Sequence, residues 1–211
     1  AGLHLLCNWP VTALLSSRNG LMLGVSCAAA LALSGCVSLD VDVPDSLLTL
    51  SPEATAPVGA SAAAGGETSQ RAIAVLTPEV PAKLDVLRVP VNVSATEIAY
   101  LEDAIWIEKP ARLFRRVLGE AIRARSGENA PVVLDSDDAP LRAGTFLRGT
   151  LMEMSFDAAS GDVVVRYDAI RTDAMGTAVT RRFEAREGGV VADALSVGPA
   201  LNRAANAVAV E

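Results

Sequence analysis

Cys36 is the side chain whose neighbours specify a reaction. It follows Leu33-Ser34-Gly35, and upstream Arg18 precedes an apolar run from Leu21 to Leu33. A cation, an apolar stretch of signal-peptide length, small residues and a thiol, in that order, mark an export leader cut just before a cysteine that has received diacylglycerol. A buried helix with an incidental cysteine rarely sets these features in this order ahead of a stretch rich in Pro, Ala and Gly. Residues 1–35 therefore read as a leader, with diacylglycerol and an N-acyl chain such as palmitate expected on Cys36 and no other cofactor. The Trp9-Pro10 step suits a leader poorly, and a start near Val11 is expected. Val37 and Ser38 follow the cysteine where an Asp would favour inner-membrane retention, so the outer membrane is favoured. Each acyl chain adds ~0.8 kcal/mol per buried methylene, and two or three chains anchor stably.

Downstream of Cys36 the chemical repertoire is narrow. Cys7, Cys27 and Cys36 are the three cysteines and His4 is the single histidine, so the rest of the chain has no thiol or imidazole. Disulfides, Cys or His metal sites and Ser-His-Asp or Cys-His catalysis are thereby removed from it. The carboxylates Glu102, Asp103, Glu108, Asp135, Asp137 and Asp138 fall in turns and loops, where solvation and capping account for them. Nothing in their spacing makes two converge as a hydrolytic pair must. The chain reads as a non-enzyme, with no catalytic or metal residue to name. A net charge of -7 and a pI near 4.8 argue against nucleic acid, whose phosphates call for surplus Lys and Arg.

What remains is surface chemistry. Arg112, Arg115, Arg116, Arg123 and Arg125 form the densest basic group. They suit an acidic partner or anionic lipid headgroups, or equally a solvated helix face balanced in part by Glu120. Tyr100 and Trp106 mark an interface if exposed and a core if a helix covers them. The candidate partner interface is therefore Tyr100, Trp106, Arg112, Arg115 and Arg116. Arg181, Arg182 and Arg186 alternate with Glu184 and Glu187, a pattern that suits cross-strand ion pairs.

The elements that must position these residues follow from the pattern. Of 211 residues, the leader (1–35) and a lipidated tether with a flexible loop (36–72) leave roughly 140, enough for one domain at 73–211. The loop at 51–70 is Ser, Pro, Ala, Gly and Thr with almost nothing large to bury. Hydrophobic content is 51%, but Ala inflates it and charge interrupts every apolar run after Cys36, so no spanning helix is expected there. Short strands are expected at 47–50, 72–76, 85–91 and 131–134, the 85–91 run near an edge because of Pro90. Residues 97–101 and 104–107 read as a strand pair turning at Glu102-Asp103. A helix is expected from Pro110 to about Arg125, with Pro at its first position, Gly127 as its stop, and Leu113, Phe114, Val117, Leu118, Ala121 and Ile122 on one face. An antiparallel meander follows at 145–156, 162–171 and 178–187. Phe146, Met152, Met154 and Phe156 share one parity, and Val163, Val165 and Tyr167 share one in the next strand. From about Val197 a last helix sets Leu201, Ala204, Ala205 and Val208 against the sheet and leaves Asn202, Arg203 and Asn206 on its polar side.

These residues resemble the ABC-type transport auxiliary lipoproteins, also called PqiC/YmbA-like lipoproteins. The resemblance rests on LSGC at 33–36, LLTLSPE at 47–53, VGPALNRAANAVA at 197–209 and above all the run at 88–125. There Tyr100-Leu101, Trp106, Pro110 and the Leu113–Leu118 helix stand in the family's order. The resemblance implies an α/β domain of the α+β sandwich kind, with a mixed, largely antiparallel sheet and two main flanking helices. It also implies a non-enzymatic component of an Mce-type transport system moving lipid between membranes. The partners implied are an Mce-domain periplasmic protein and its ABC permease and ATPase, with the lipoprotein at the outer membrane facing the periplasm, in some relatives as a homo-oligomeric ring. The Ala- and Gly-rich 51–72 loop and the end at Glu211 depart from the family pattern. A structural or assembly lipoprotein with no transport role is the alternative reading. A lipid carrier would need an apolar pocket between the sheet and helix 110–125, a space that side chains are expected to fill.

Overall fold

The meander supplies the middle of the molecule. In this computed structural model, strands β5 (Thr145–Asp157), β6 (Asp162–Asp173) and β7 (Ala178–Glu187) pair antiparallel in sequence. Residues 46–59, 72–125, 132–134 and 143–211 are described. Leu33, Ser34, Gly35, Cys36, Gly127, Asp135, Asp137, Asp138 and much of the 51–72 loop lie outside them. The other edge of β5 is shared by two strands in tandem, β1 (Ala72–Val75) near its start and β2 (Arg88–Ser94) near its end, both parallel to it. β4 (Val132–Leu134) adds parallel to β1, and β3 (Glu97–Ile105) adds antiparallel to β2. The outcome is one mixed sheet whose longest ladders are antiparallel, flanked by helices α1 (Pro110–Ala124) and α2 (Ala194–Val210).

Each helix forms for reasons visible in its residues. α1 begins with Pro110, whose missing N–H is no loss in a first turn, and its buried side is Leu113, Phe114, Val117, Leu118 and Ala121. Burying each of the first four contributes ~1.5–3 kcal/mol. α2 starts at Ala194, earlier than the expected 197, because the Asp193 carboxylate accepts the Ser196 backbone N–H at 2.7 Å and caps the first turn. Among the described residues no helix is long and apolar enough to cross a membrane.

Several expectations change. The register of β5 against β6 shifts between Leu151 and Glu153, a bulge that reverses side-chain parity. Leu147, Gly149 and Leu151 before it, and Met154 and Phe156 after it, therefore stand opposite Arg171, Ala169, Tyr167, Val165 and Val163 on one face. Phe146 and Met152 do not share that face with Met154 and Phe156. Residues 97–105 are one strand, and Glu102-Asp103 lie in a bulge where β3 has more residues than β2, with Asp103 at φ 54°. β2 is an inner strand, one in from the edge strand β3. Pro90, which has no N–H to donate, is tolerated there because it sits at that irregularity.

The domain also extends before residue 73. Leu48 donates to the Ile105 carbonyl at 2.7 Å and accepts from Ile107 at 2.9 Å, and Leu50 joins the core. Asn202 and Asn206, expected on a wet face, hold this segment: their Oδ1 atoms accept Ser51 N–H and Glu53 N–H, each at 2.8 Å, and Asn206 Nδ2 donates to the Ser51 carbonyl at 2.9 Å. Buried amides with every group matched are cheap to bury, which is why Asn206 sits in an apolar helix. Gly198 completes the clasp, because a Cβ there would lie 2.7 Å from a Leu48 methyl.

Candidate functional site

The five candidate interface residues separate. Trp106 is 1% exposed and packs in the core with Phe114 and Leu113, so the packing reading of this ring holds and it leaves the interface set. Tyr100 is half-buried on β3, with the Arg88 guanidinium 5.2 Å above its ring. Arg112, Arg115 and Arg116 lie along the outward side of α1, Arg112 and Arg116 exposed and Arg115 half-buried. Arg116 is ion-paired with Glu108 of the segment entering the helix, and Arg123 with Glu120 at 2.5 Å. This face is thus a partly neutralised basic strip, and of the loop carboxylates Glu108 is consumed by it. Among the described residues no cluster of His, Cys, Asp or Glu could hold a metal ion.

The sheet face turned away from the helices carries a charge lattice. Arg182 grips Asp168 through two bonds of 2.6 and 2.7 Å. Arg166 and Arg186 both bond Glu184, at 2.5 and 2.7 Å. The Arg182 hydrogen bonds hold the Asp168 carboxyl below its ordinary range, and the Arg166 bond does the same for Glu184. Of the pairs expected from the Arg and Glu alternation, Arg182 makes a cross-strand pair, Arg186 pairs within its own strand, and Arg181 instead lies over the Phe183 ring. Towards β2 the same face holds Lys83, Glu153, Asn92 and Ser155. Lys83 donates to both Glu153 and Asn92, and Asn92 donates to Ser155 at 3.0 Å. A buried carboxylate needs such partners, since one left alone is strongly destabilising.

On the helix side the packing is uneven. Phe114 meets Tyr167 edge-on, with centroids 5.2 Å apart, in a favoured aromatic geometry. Beyond Tyr167, towards the ends of both helices, lies a cavity of about 400 Å³ walled by Leu118, Ile122, Leu147, Val179 and Val208. Ala169 and Phe183 complete its floor, and Arg125, Arg171 and Arg181 stand at it together with one carboxylate, Glu211. The space expected to be filled is filled near Phe114 and hollow here. Register helps explain the hollow: Arg171 pairs with Val179 and Ala169 with Arg181, so three helix-facing positions at this end hold two long polar side chains and one very small one. Tyr167 is 2% exposed, its hydroxyl has no hydrogen-bond partner among the described residues, and burial raises its pKa above the ordinary value. Sequence reading missed these residues, although the parity of Tyr167, Ala169 and Arg171 in β6 was available to flag them.

A lattice of matched charges, a basic strip and an apolar hollow are the features that the described surface presents. The chain belongs to the ABC-type transport auxiliary lipoprotein component family, whose model matches residues 49–209. Membership makes it a lipoprotein and a non-enzymatic accessory of ABC-type transport. The fold is shared with a solved protein from Xanthomonas campestris, at 15% identity and a TM-score of 0.58 over 78% of this chain and 91% of that one. A second solved structure, of an uncharacterized protein, shares it at 13% identity and a TM-score of 0.56 over 76% of this chain and 93% of that one. The comparison with curated proteins gives no match.

Proposed function

We propose that this protein is the outer-membrane lipoprotein of an Mce-type ABC transport system, and that it acts by docking on the Mce-domain protein that reaches it across the periplasm while lipid moves between the membranes. The match over residues 49–209 carries this reading, since it spans the domain from the clasped segment at Leu50 to α2. Cys36 supplies the anchor, bearing diacylglycerol and an N-acyl chain, and the domain faces the periplasm from it. Tyr100, Arg112, Arg115 and Arg116 form the docking surface, with Trp106 supporting it from the core. Its basic character suits an acidic patch on the partner, and charge complementarity of this kind sets orientation and encounter rate.

The test is recovery of partners from gently solubilised envelopes with a tagged full-length chain. Wild type is expected to bring down an Mce-domain protein with its permease and ATPase. Cys36→Ala, still exported but unlipidated, is expected to recover much less, and Arg112→Glu with Arg116→Glu to lose the partner while keeping the anchor. Recovery of only unrelated envelope proteins by a folded, anchored wild type would sink the proposal and leave a structural lipoprotein in its place.

A further inference from the structure

We infer that the hollow beyond Tyr167 is a binding site for one acyl chain of an anionic lipid, whose headgroup is held by Arg125, Arg171 and Arg181. The inference does not rest on the docking proposal, since the site lies between helices and sheet, apart from the α1 outer strip.

The walls decide the nature of the tail. Leu118, Ile122, Leu147, Val179 and Val208 are aliphatic, so the interior rewards hydrocarbon and offers a peptide backbone almost nothing to bond. At about 400 Å³ the cavity lies at the small end of the ~300–1,000 Å³ range of small-molecule sites, a volume for one chain and not a pair. Phe183 gives the tail a flat surface.

The arginines decide the head. On the other sheet face Arg166, Arg182 and Arg186 each hold a carboxylate, and on α2 Arg203 holds Glu187. At the cavity, among the described residues, none of the three arginines is ion-paired: Arg125 donates to the Val210 carbonyl at 2.6 Å and Arg181 lies 4.6 Å above the Phe183 ring. In a chain of net charge -7, this apolar mouth carries three arginines against one carboxylate, Glu211, a local positive excess matched to an anionic amphiphile. The carboxylate of a fatty acid and the phosphate of a phospholipid share this chemistry.

The experiment is in-cell photocrosslinking with the full-length, anchored protein. A photoreactive phenylalanine analogue replaces Val179, which lines the cavity and is 50% exposed, or Thr180, its neighbour on the opposite face, as control. After irradiation, mass spectrometry of the peptide holding that position reads the adduct. A lipid adduct at 179 and none at 180 is expected, its mass distinguishing an intact phospholipid from a free fatty acid. Arg171→Gln with Arg181→Gln is expected to lower its yield severalfold. Three results overturn the inference: equal adducts at both positions, a protein adduct at 179, or a yield indifferent to the two arginines. None of them touches recovery of a transport partner, so this failure and that of the docking reading remain separable.

Discussion

The two ends of the space under α1 differ although the helix presents the same apolar stripe to both. At the near end Leu113, Phe114 and Val117 are fully buried among Trp106, Leu84 and Val89. At the far end Leu118 and Ile122 look onto a hollow. Tyr167 divides them, touching Phe114 on one side and lining the cavity on the other. The cause lies in the sheet: Val163, Val165 and Tyr167 face the near end, whereas Ala169 and Arg171 face the far end. A helix stripe therefore says that something will be covered, and the facing strand decides whether it will be packed or left available.

The largest expected effect breaks the sealed end. Phe114→Ala removes a fully buried ring and its edge contact with Tyr167, and should lower unfolding free energy by ~3–5 kcal/mol in a urea titration. Gly149→Ala attacks the divider, because a Cβ there would lie 2.0 Å from the Asp168 carbonyl oxygen and 2.9 Å from the Tyr167 ring. Overpacking against backbone should cost about 3 kcal/mol, read in the same titration. A paired substitution sharpens the contrast: Ala205→Leu in the closed core should cost ~1–3 kcal/mol, whereas Ala169→Leu, beside the cavity, should add ~0.5–1 kcal/mol by filling it. Equal losses from the two would mean that the ends are packed alike.

The smallest effect lies on the outer sheet face. Asp168 and Glu184 are held below their ordinary range by Arg182 and Arg166, so their contribution is complete above the unfolded-chain values of ~3.9 and ~4.3 and is lost as pH falls through the lower folded ones. Melting temperature should fall between pH 5 and pH 3 by this route. Glu184→Gln should show less of that fall, and at pH 7 should cost only ~0.2–1 kcal/mol, as half-exposed pairs do.

Sequence patterning was legible where one local rule dominates. Pro110 and the Leu113-to-Ala121 spacing set α1 to within a residue, and the three long strands of the meander were placed closely, because periodicity and turn residues act locally. The misses involve partners distant in sequence. Nothing near Asn206 indicates that it will bond Ser51, so its face of α2 read as wet, and the clasped segment at 46–53 read as a short strand closing the tether and the start of the loop. The bulge between Leu151 and Glu153 cannot be seen in β5 alone, since it exists only as register against β6, and parity beyond it was lost. Of the interface residues, Tyr100 and the α1 arginines kept surface positions and Trp106 went to the core. The cavity was unread because it is made by small and charged residues facing a helix, a pattern that composition averages away.

Lipid traffic is the most direct measure of the central claim, an anchored accessory of an Mce-type lipid transport system. Cells lacking the protein would be pulse-labelled in their phospholipids and the two membranes separated over time. Altered distribution of label between inner and outer membranes is expected, restored by the wild-type chain and not by Cys36→Ala. An unchanged distribution, alongside depletion of some other envelope complex, would contradict the claim.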